Sequence, residues 1–469
     1  MKKKIKISLF VFIVIGVVIL NITYKNKNEV TKNKQRKQNN LAIMVKEDGA
    51  SDYTKSTSKD IPIGNYVLNE EKTHCENNGK ILNYDNTTGK VSFSFIGSDR
   101  CYLYFDYYKE PVGYEIIIAN NGGKDAIEAK GTPDFSKVAT ENEGMYAADD
   151  DLGTSYYFRG AVDNNWVKFG KDSGGKDMYW RIIRISGDGS IRMIYSGTTA
   201  PTSETAIVMT GDGTEIGVGA YNSSFKDPTY VGYMYAEELQ HGYDSSSTIK
   251  STIEDWYTTT TLETDVITKS LVADQIFCND RSATTNPVGI PGEINEKMNT
   301  STAYFYGTYF RISEKNTPKL TCQSLSDKFT VNTSTGNKAL TYSVGLITAD
   351  EVAMAGSVYN VSNSSYYLYT NQFYWTGSPE SYNRYYSYTY YVYQSGYLAS
   401  GIVNVQNGIR PVISLSSSAK LSGSGTWNDV YTVSWDLLVN MEWVDKFVPY
   451  FLIFRKVNLF CGKSDTFCL

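Results

Sequence analysis

Hydrophobic and polar positions divide the chain into regions with different periods. Lys2, Lys3, Lys4 and Lys6 precede an apolar run over Ile7–Ile22 that only Ser8 and Asn21 interrupt. At about 1.5 Å per residue, Ile7–Tyr24 as a helix is roughly 27 Å long, close to the roughly 30 Å of bilayer hydrocarbon. No small-residue cleavage site and no cysteine follows it, so residues 1–24 are expected to be an uncleaved signal-anchor, a transmembrane helix. Residues 25–60 are polar with few large apolar side chains and are expected to form a flexible stalk. From 61 to 110 the period becomes two. KVSFSFIG places Val91, Phe93 and Phe95 on one face, and CYLYFDYY repeats the alternation, which predicts a small β-module.

Residues 111–150 read as a mixed connector, and 151–432 as a larger mixed α/β domain. Trp180–Ile185 and Ile191–Tyr195 flank SGDGS, where Asp188-Gly189 predicts a hairpin turn. Ile249, Ile253, Trp256 and Tyr257 recur at helical spacing and predict an amphipathic helix. Thr348 and Glu351 form a Thr-x-x-Glu capping box, with Gly356 as the stop. SGSGTWNDVYTVS predicts a closing hairpin. Residues 433–469 form an apolar tail whose run VPYFLIF is too short to span a bilayer, and its role is open. The fold class expected from these elements is α+β.

Charge strengthens the membrane assignment. The net charge is −5, yet residues 1–40 carry +9 and the remainder −14. A body this acidic, without a basic stripe, speaks against nucleic acid as a partner. Six cysteines include no CxxC. An even number behind an export segment predicts disulfides in an oxidising exterior, Cys75 with Cys101 and Cys278 with Cys322. The bulk of the chain is therefore expected outside the cell membrane, anchored by one pass at a Gram-positive type of surface.

Candidate chemistry is sparse. Ser247-Thr248-Ile249-Lys250 matches the Ser-x-x-Lys nucleophile spacing but lacks the accompanying Lys-Thr-Gly element. His74 and His241 are the only histidines, and no nucleophile motif surrounds either. Trp427-Asn428-Asp429 copies a calcium-holding triplet without its partner loop and reads as a turn. No cofactor or metal site is expected. The informative segment is 366–397, with 12 Tyr in 32 residues. Tyrosine combines large contact area, few rotatable bonds and a hydroxyl, which suits recognition. Tyr382, Asn383, Arg384, Tyr386, Tyr388, Tyr390 and Tyr393 are the candidate ligand-binding residues.

YWRIIRISGDGSIRMIYSGT, FCNDRS, VGLITADEVAMAG, YWTGSP and GIRPVISLSS, in that order, resemble membrane-anchored surface proteins of low-GC Gram-positive bacteria. The Trp-x-x-Ser-Pro element (Trp375, Ser378, Pro379) and the Gly-Ile-Arg-Pro element (Arg410, Pro411) are similar in layout to the end of C-type-lectin-like folds. Formylglycine-generating enzymes and hypervariable receptors share that layout. The resemblance implies that Trp375 packs, that Arg410 pins the terminal strand, and that 380–406 is an exposed, variable face. Trp180, Ser378, Pro379 and Pro411 are expected to be structural with them. The function expected is binding or adhesion to a glycan, peptide or partner surface, and not catalysis. The alternatives are an extracytoplasmic enzyme, of formylglycine-generating type or an envelope hydrolase, and a structural envelope protein.

Overall fold

The computed structural model describes residues 40–58, 60–94 and 99–434. The signal-anchor 1–24, residues 25–39 of the stalk, Phe95, and the tail after residue 434 with Cys461 and Cys468 lie outside the described residues. Among the described residues, no helix is long and apolar enough to cross a membrane. The chain divides into two compact units, Met1–Glu110 and Pro111–Leu469. The architecture is α+β, mostly sheet with few helices.

The first unit contains β1 (Asn40–Lys46), β2 (Thr54–Lys55), β3 (Tyr66–Leu68), β4 (His74–Cys75), β5 (Lys80–Asp85), β6 (Lys90–Ser94) and β7 (Arg100–Tyr107). β7 is the central strand, with β1 parallel on one side and β3 and β4 antiparallel to it. Cys75 stands opposite Cys101 across β4 and β7, and a disulfide joins them. This corrects the stalk expected over 25–60, because Asn40–Lys46 and Thr54–Lys55 within it are strands of the sheet. Ile43 and Val45 lie in the apolar run Leu41–Val45 and are buried beside Leu103 and Phe105. The parallel ladder from Asn40↔Arg100 to Lys46↔Asp106 makes a strand of this short apolar run, which the polar residues on either side of it obscured. Val91 and Phe93 pack against the same cluster, as the alternation predicted.

The second unit begins where a connector was expected, and this too is a correction. Residues 111–150 form α1 (Gly113–Asn120), α2 (Lys124–Glu128) and β8 (Asn142–Asp150). Ile117, Ile118, Ile127 and Met145 enter the main core. Gly113 allows the entry to α1 to lie against the later chain. Its N–H donates to the Ala419 carbonyl at 2.7 Å, and a Cβ there would stand 2.6 Å from Leu421 Cγ.

Two large sheets follow. The eight-stranded sheet is built on β9 (Gly153–Gly160), β10 (Trp166–Lys171), β11 (Asp177–Ile185) and β12 (Ile191–Tyr195). The hairpin β11–β12 turns at Gly189, whose φ of +84° is the left-handed backbone that a glycine adopts without strain. The amphipathic helix α3 (Thr248–Thr259) buries Ile249, Ile253 and Tyr257, capped by the Ser247 hydroxyl on the Lys250 N–H. The short helix α4 (Ala349–Met354) carries the complete Thr348–Glu351 capping box.

The seven-stranded sheet contains β13 (Tyr304–Tyr306), β14 (Tyr374–Tyr382), β15 (Ser387–Val392) and β16 (Leu398–Ile402). Every residue of β14 is buried, because both faces of this strand are covered. β17 (Val412–Leu415) returns to the first sheet beside β12, and the closing hairpin pairs β18 (Lys420–Ser422) with β19 (Tyr431–Ser434). Cys278 and Cys322 form the second disulfide.

Candidate functional site

The Tyr-rich segment is a hairpin whose tip carries the candidate site. β14 and β15 pair antiparallel down to Tyr382↔Ser387, leaving Asn383, Arg384, Tyr385 and Tyr386 as the turn. Asn383 builds it. Its Oδ1 accepts from the backbone N–H groups of Tyr385 and Tyr386 at 3.0 and 2.9 Å, and its Nδ2 donates to the Tyr388 hydroxyl at 3.1 Å. This local closure is the habit that suits asparagine to turns. Arg384 takes a φ of +80°, a left-handed conformation that costs a long side chain roughly 1–2 kcal/mol.

Two rings stand out from this turn, Tyr385 at 68% and Tyr386 at 38% exposure. A third joins them from far away in sequence. The Phe225 ring lies 5.8 Å from that of Tyr386, with 27° between their planes. Residues 225–227 are laced along the hairpin edge. The Ser387 N–H donates to the Phe225 carbonyl at 2.9 Å, the Tyr382 hydroxyl to the Lys226 carbonyl at 3.2 Å, and the Ser387 hydroxyl to the Asp227 carbonyl. Lys226 Nζ sits 5.6 Å from the Phe225 ring centre. Among the described residues neither Arg384 nor Lys226 is held in an ion pair. The Asp227 carboxylate is committed to the Thr229 N–H and hydroxyl. The tip thus shows three rings and two uncommitted cations on a body of negative net charge.

The structure divides the predicted binding residues. Asn383, Arg384, Tyr386 and Tyr388 meet at the tip. Tyr382 at 1% and Tyr390 at 0% exposure are sealed in the protein, which corrects their place in an exposed face. The Tyr382 hydroxyl donates to the Lys226 and Thr300 carbonyls, and the Tyr390 hydroxyl shares a 2.6 Å hydrogen bond with that of Ser313. Strand alternation assigns Tyr388 and Tyr390 to one face, but only tertiary packing covers it near Tyr390. Tyr393 lies beyond the opposite end of β15, where its ring stacks on Tyr397 at 4.6 Å and meets Phe373 at 4.7 Å. Sequence reasoning missed Tyr385, Phe225 and Lys226. Tyr385 was legible as the residue after the turn's Asn-Arg, whereas nothing near Phe225 announces the contact.

Behind the tip, Glu380 is 8% exposed, and burial raises its carboxyl pKa to about 7 against a lowering hydrogen bond from the Ser381 hydroxyl. The expected structural residues carry packing. Trp375 is fully buried and its Nε1 donates to the Gly219 carbonyl at 2.8 Å. Arg410 Nε and Nη1 donate to the carbonyls of Tyr195 and Leu368 at 3.1 and 3.2 Å, pinning the chain beside β12. The Pro411 carbonyl accepts from the Tyr195 N–H, Ser378 Oγ from the Ala349 N–H, and Trp180 Nε1 donates to the Phe169 carbonyl. Pro379 pairs with Thr389 across the hairpin.

Other polar clusters are held in internal ion pairs. Glu351 Oε1 lies 3.0 Å from Arg184 Nε and 2.6 Å from Arg192 Nε, while Arg184 also meets Asp150 at 2.6 Å. Arg311 joins Asp280 at 2.7 Å and Asp350 at 2.8 Å. The cavity among them is about 30 Å³, room for one water. The Ser247 hydroxyl donates to the Tyr233 carbonyl, and buried Lys250 pairs with Glu254 at 2.8 Å, so the Ser-x-x-Lys match is a helix cap beside an ion pair. His74 lies stacked on Tyr102 in the first unit. Among the described residues, no group of three or more His, Cys, Asp or Glu has the arrangement to hold a metal ion.

No protein-family model matches the chain, and neither a curated protein nor a solved structure does.

Proposed function

We propose that this chain is a surface binding or adhesion protein that presents the 383–386 hairpin tip, with Phe225 and Lys226 beside it, to a glycan or protein surface. The observation that carries this reading is Arg384. A long cationic side chain is held at a φ of +80° on the turn that carries the exposed Tyr385 and Tyr386 rings, without an ion-pair partner among the described residues. Strain of this kind persists where the surrounding structure enforces it, and such positions cluster at functional sites. Exposed tyrosines beside an arginine are the composition that dominates binding energy at interfaces. The unpaired cations favour a ligand that carries negative charge.

The two disulfides support an extracytoplasmic setting for the described body, and the basic and apolar start of the chain supports a membrane anchor. The likeness in layout to C-type-lectin-like domains, part of this proposal, rests on the Trp375–Pro379 and Gly408–Pro411 elements alone.

The test is a double variant, Tyr385→Ser with Tyr386→Ser, applied with the parent chain to glycan arrays, peptide arrays and cell surfaces. The parent is expected to bind a defined subset. The variant should lose about 30-fold or more in affinity, the loss of a hot spot of roughly 2 kcal/mol, with its melting temperature nearly unchanged. Equal binding by both proteins refutes the reading.

A further inference from the structure

Away from the tip, the second unit holds its only described histidine between two carboxylates. His241 lies on the loop between the paired segments Met234–Tyr235 and Ser245–Ser246. Its Nδ1 is 2.9 Å from Asp327 Oδ1, and its Nε2 is 3.0 Å from Glu293 Oε2. The two carboxylates are not equivalent. Asp327 is fully buried and already accepts hydrogen bonds from the Arg281 Nε at 2.8 Å and backbone N–H at 2.7 Å, with the charged guanidinium Nη2 2.7 Å away. Glu293 is 66% exposed and hangs over an open cleft of about 510 Å³, whose rim also carries Glu238, Asp244, Glu296 and Lys297.

An imidazolium hydrogen-bonds Asp327 through Nδ1–H and at the same time attracts the Glu293 carboxylate by charge across the 3.0 Å Nε2 approach. A neutral imidazole has one N–H donor. Asp327 is fixed by Arg281, so the remaining proton stays on Nδ1, and the Nε2 lone pair then faces the Glu293 carboxylate. That contact is repulsive, and the exposed partner is the one free to leave for water. Gln240 limits the motion. Its Nε2 donates to the Gly292 and Arg281 carbonyls at 2.8 and 2.7 Å, and its Oε1 accepts from the Ile294 N–H at 2.7 Å. The backbone at 292–294 is therefore stitched at any pH, and the release falls on the Glu293 side chain and on residues 295–297.

We propose that His241 is a pH-operated latch that draws Glu293 over this cleft when protonated and frees it when neutral. Burial lowers the imidazole pKa, but the hydrogen bond and charge of Asp327, with Glu293 adding to them against Arg281, raise it above the ordinary histidine value. The sign follows. With a raised folded-state pKa, the latch contributes fully below the ordinary histidine range and is lost as pH rises through the folded value. The groups facing the ring from other elements are Asp327, Glu293 and Arg281, and the nearest rim cation, Lys297, is taken up by Glu238.

The chain has two histidines, so His74→Asn assigns the His241 resonances in NMR titrations of the full chain. His241 is expected to titrate above the ordinary histidine pKa, and Glu293→Gln should lower that midpoint. Hydrogen exchange at 295–297, corrected for intrinsic rate, should rise about threefold through the transition, the scale of a partly exposed ion pair. In His241→Gln, whose amide still donates to Asp327, exchange there should be independent of pH. A His241 midpoint at or below the ordinary value, no response to Glu293→Gln, or the same pH profile in His241→Gln overturns the latch.

Discussion

Replacing Arg384 with glycine removes the side chain from a residue at φ +80°. A non-glycine residue in that region pays roughly 1–2 kcal/mol, whereas glycine pays instead about 0.5–1 kcal/mol through the freedom it gains in the unfolded chain. The difference predicts that Arg384→Gly is more stable by about 0.5–1 kcal/mol. No ion pair is lost in exchange, because the guanidinium has none among the described residues. At about 1–2 °C per kcal/mol for a unit of more than 300 residues, the melting temperature should rise by roughly 0.5–2 °C. Differential scanning calorimetry and urea titration read that change, and ligand arrays read the loss of binding on the same protein. Gain of stability with loss of binding is the signature of a conformation kept for function. A variant that melts below the parent, or one that is stabilised and still binds fully, refutes the reasoning. Arg384→Asn is the control, since asparagine tolerates the left-handed region and lacks the charge.

Two further outcomes follow from the buried charges. The Glu380 carboxyl, with a folded-state pKa near 7 against an ordinary 4.5, is neutral in the fold while it ionises in the unfolded chain. Stability should therefore fall between about pH 4.5 and 7, by up to roughly 3 kcal/mol from this group, and Glu380→Gln should flatten that slope in pH-dependent urea melts; an unchanged slope refutes the assignment. Glu351→Ala strips the shared carboxylate from Arg184 and Arg192 and should cost about 3–5 kcal/mol in urea unfolding, since both cations stay buried. A cost below about 1 kcal/mol would mean that water or Asp150 already carries that charge.

Local pattern determined much of this protein. The hairpin of β11 and β12, the buried stripe of α3, the capping box of α4 and the closing hairpin depend on residues within a turn or two of each other, and their hydrogen bonds close within the segment. The two disulfides expected between neighbouring cysteines in sequence, Cys75 with Cys101 and Cys278 with Cys322, are formed. Tertiary structure decided the rest. β1 became a strand because β7, about 60 residues later, offered it a parallel ladder. Tyr386 and Tyr390 share the same alternating run, yet one faces water and the other is sealed against Ser313. The period of a strand marks two faces, but whether a face stays wet depends on what the remaining chain lays over it. Phe225, 161 residues from Tyr386, reached the tip by the same route. Burial is a property of the whole packed chain, and the candidate site is the part of the Tyr-rich hairpin that packing left uncovered.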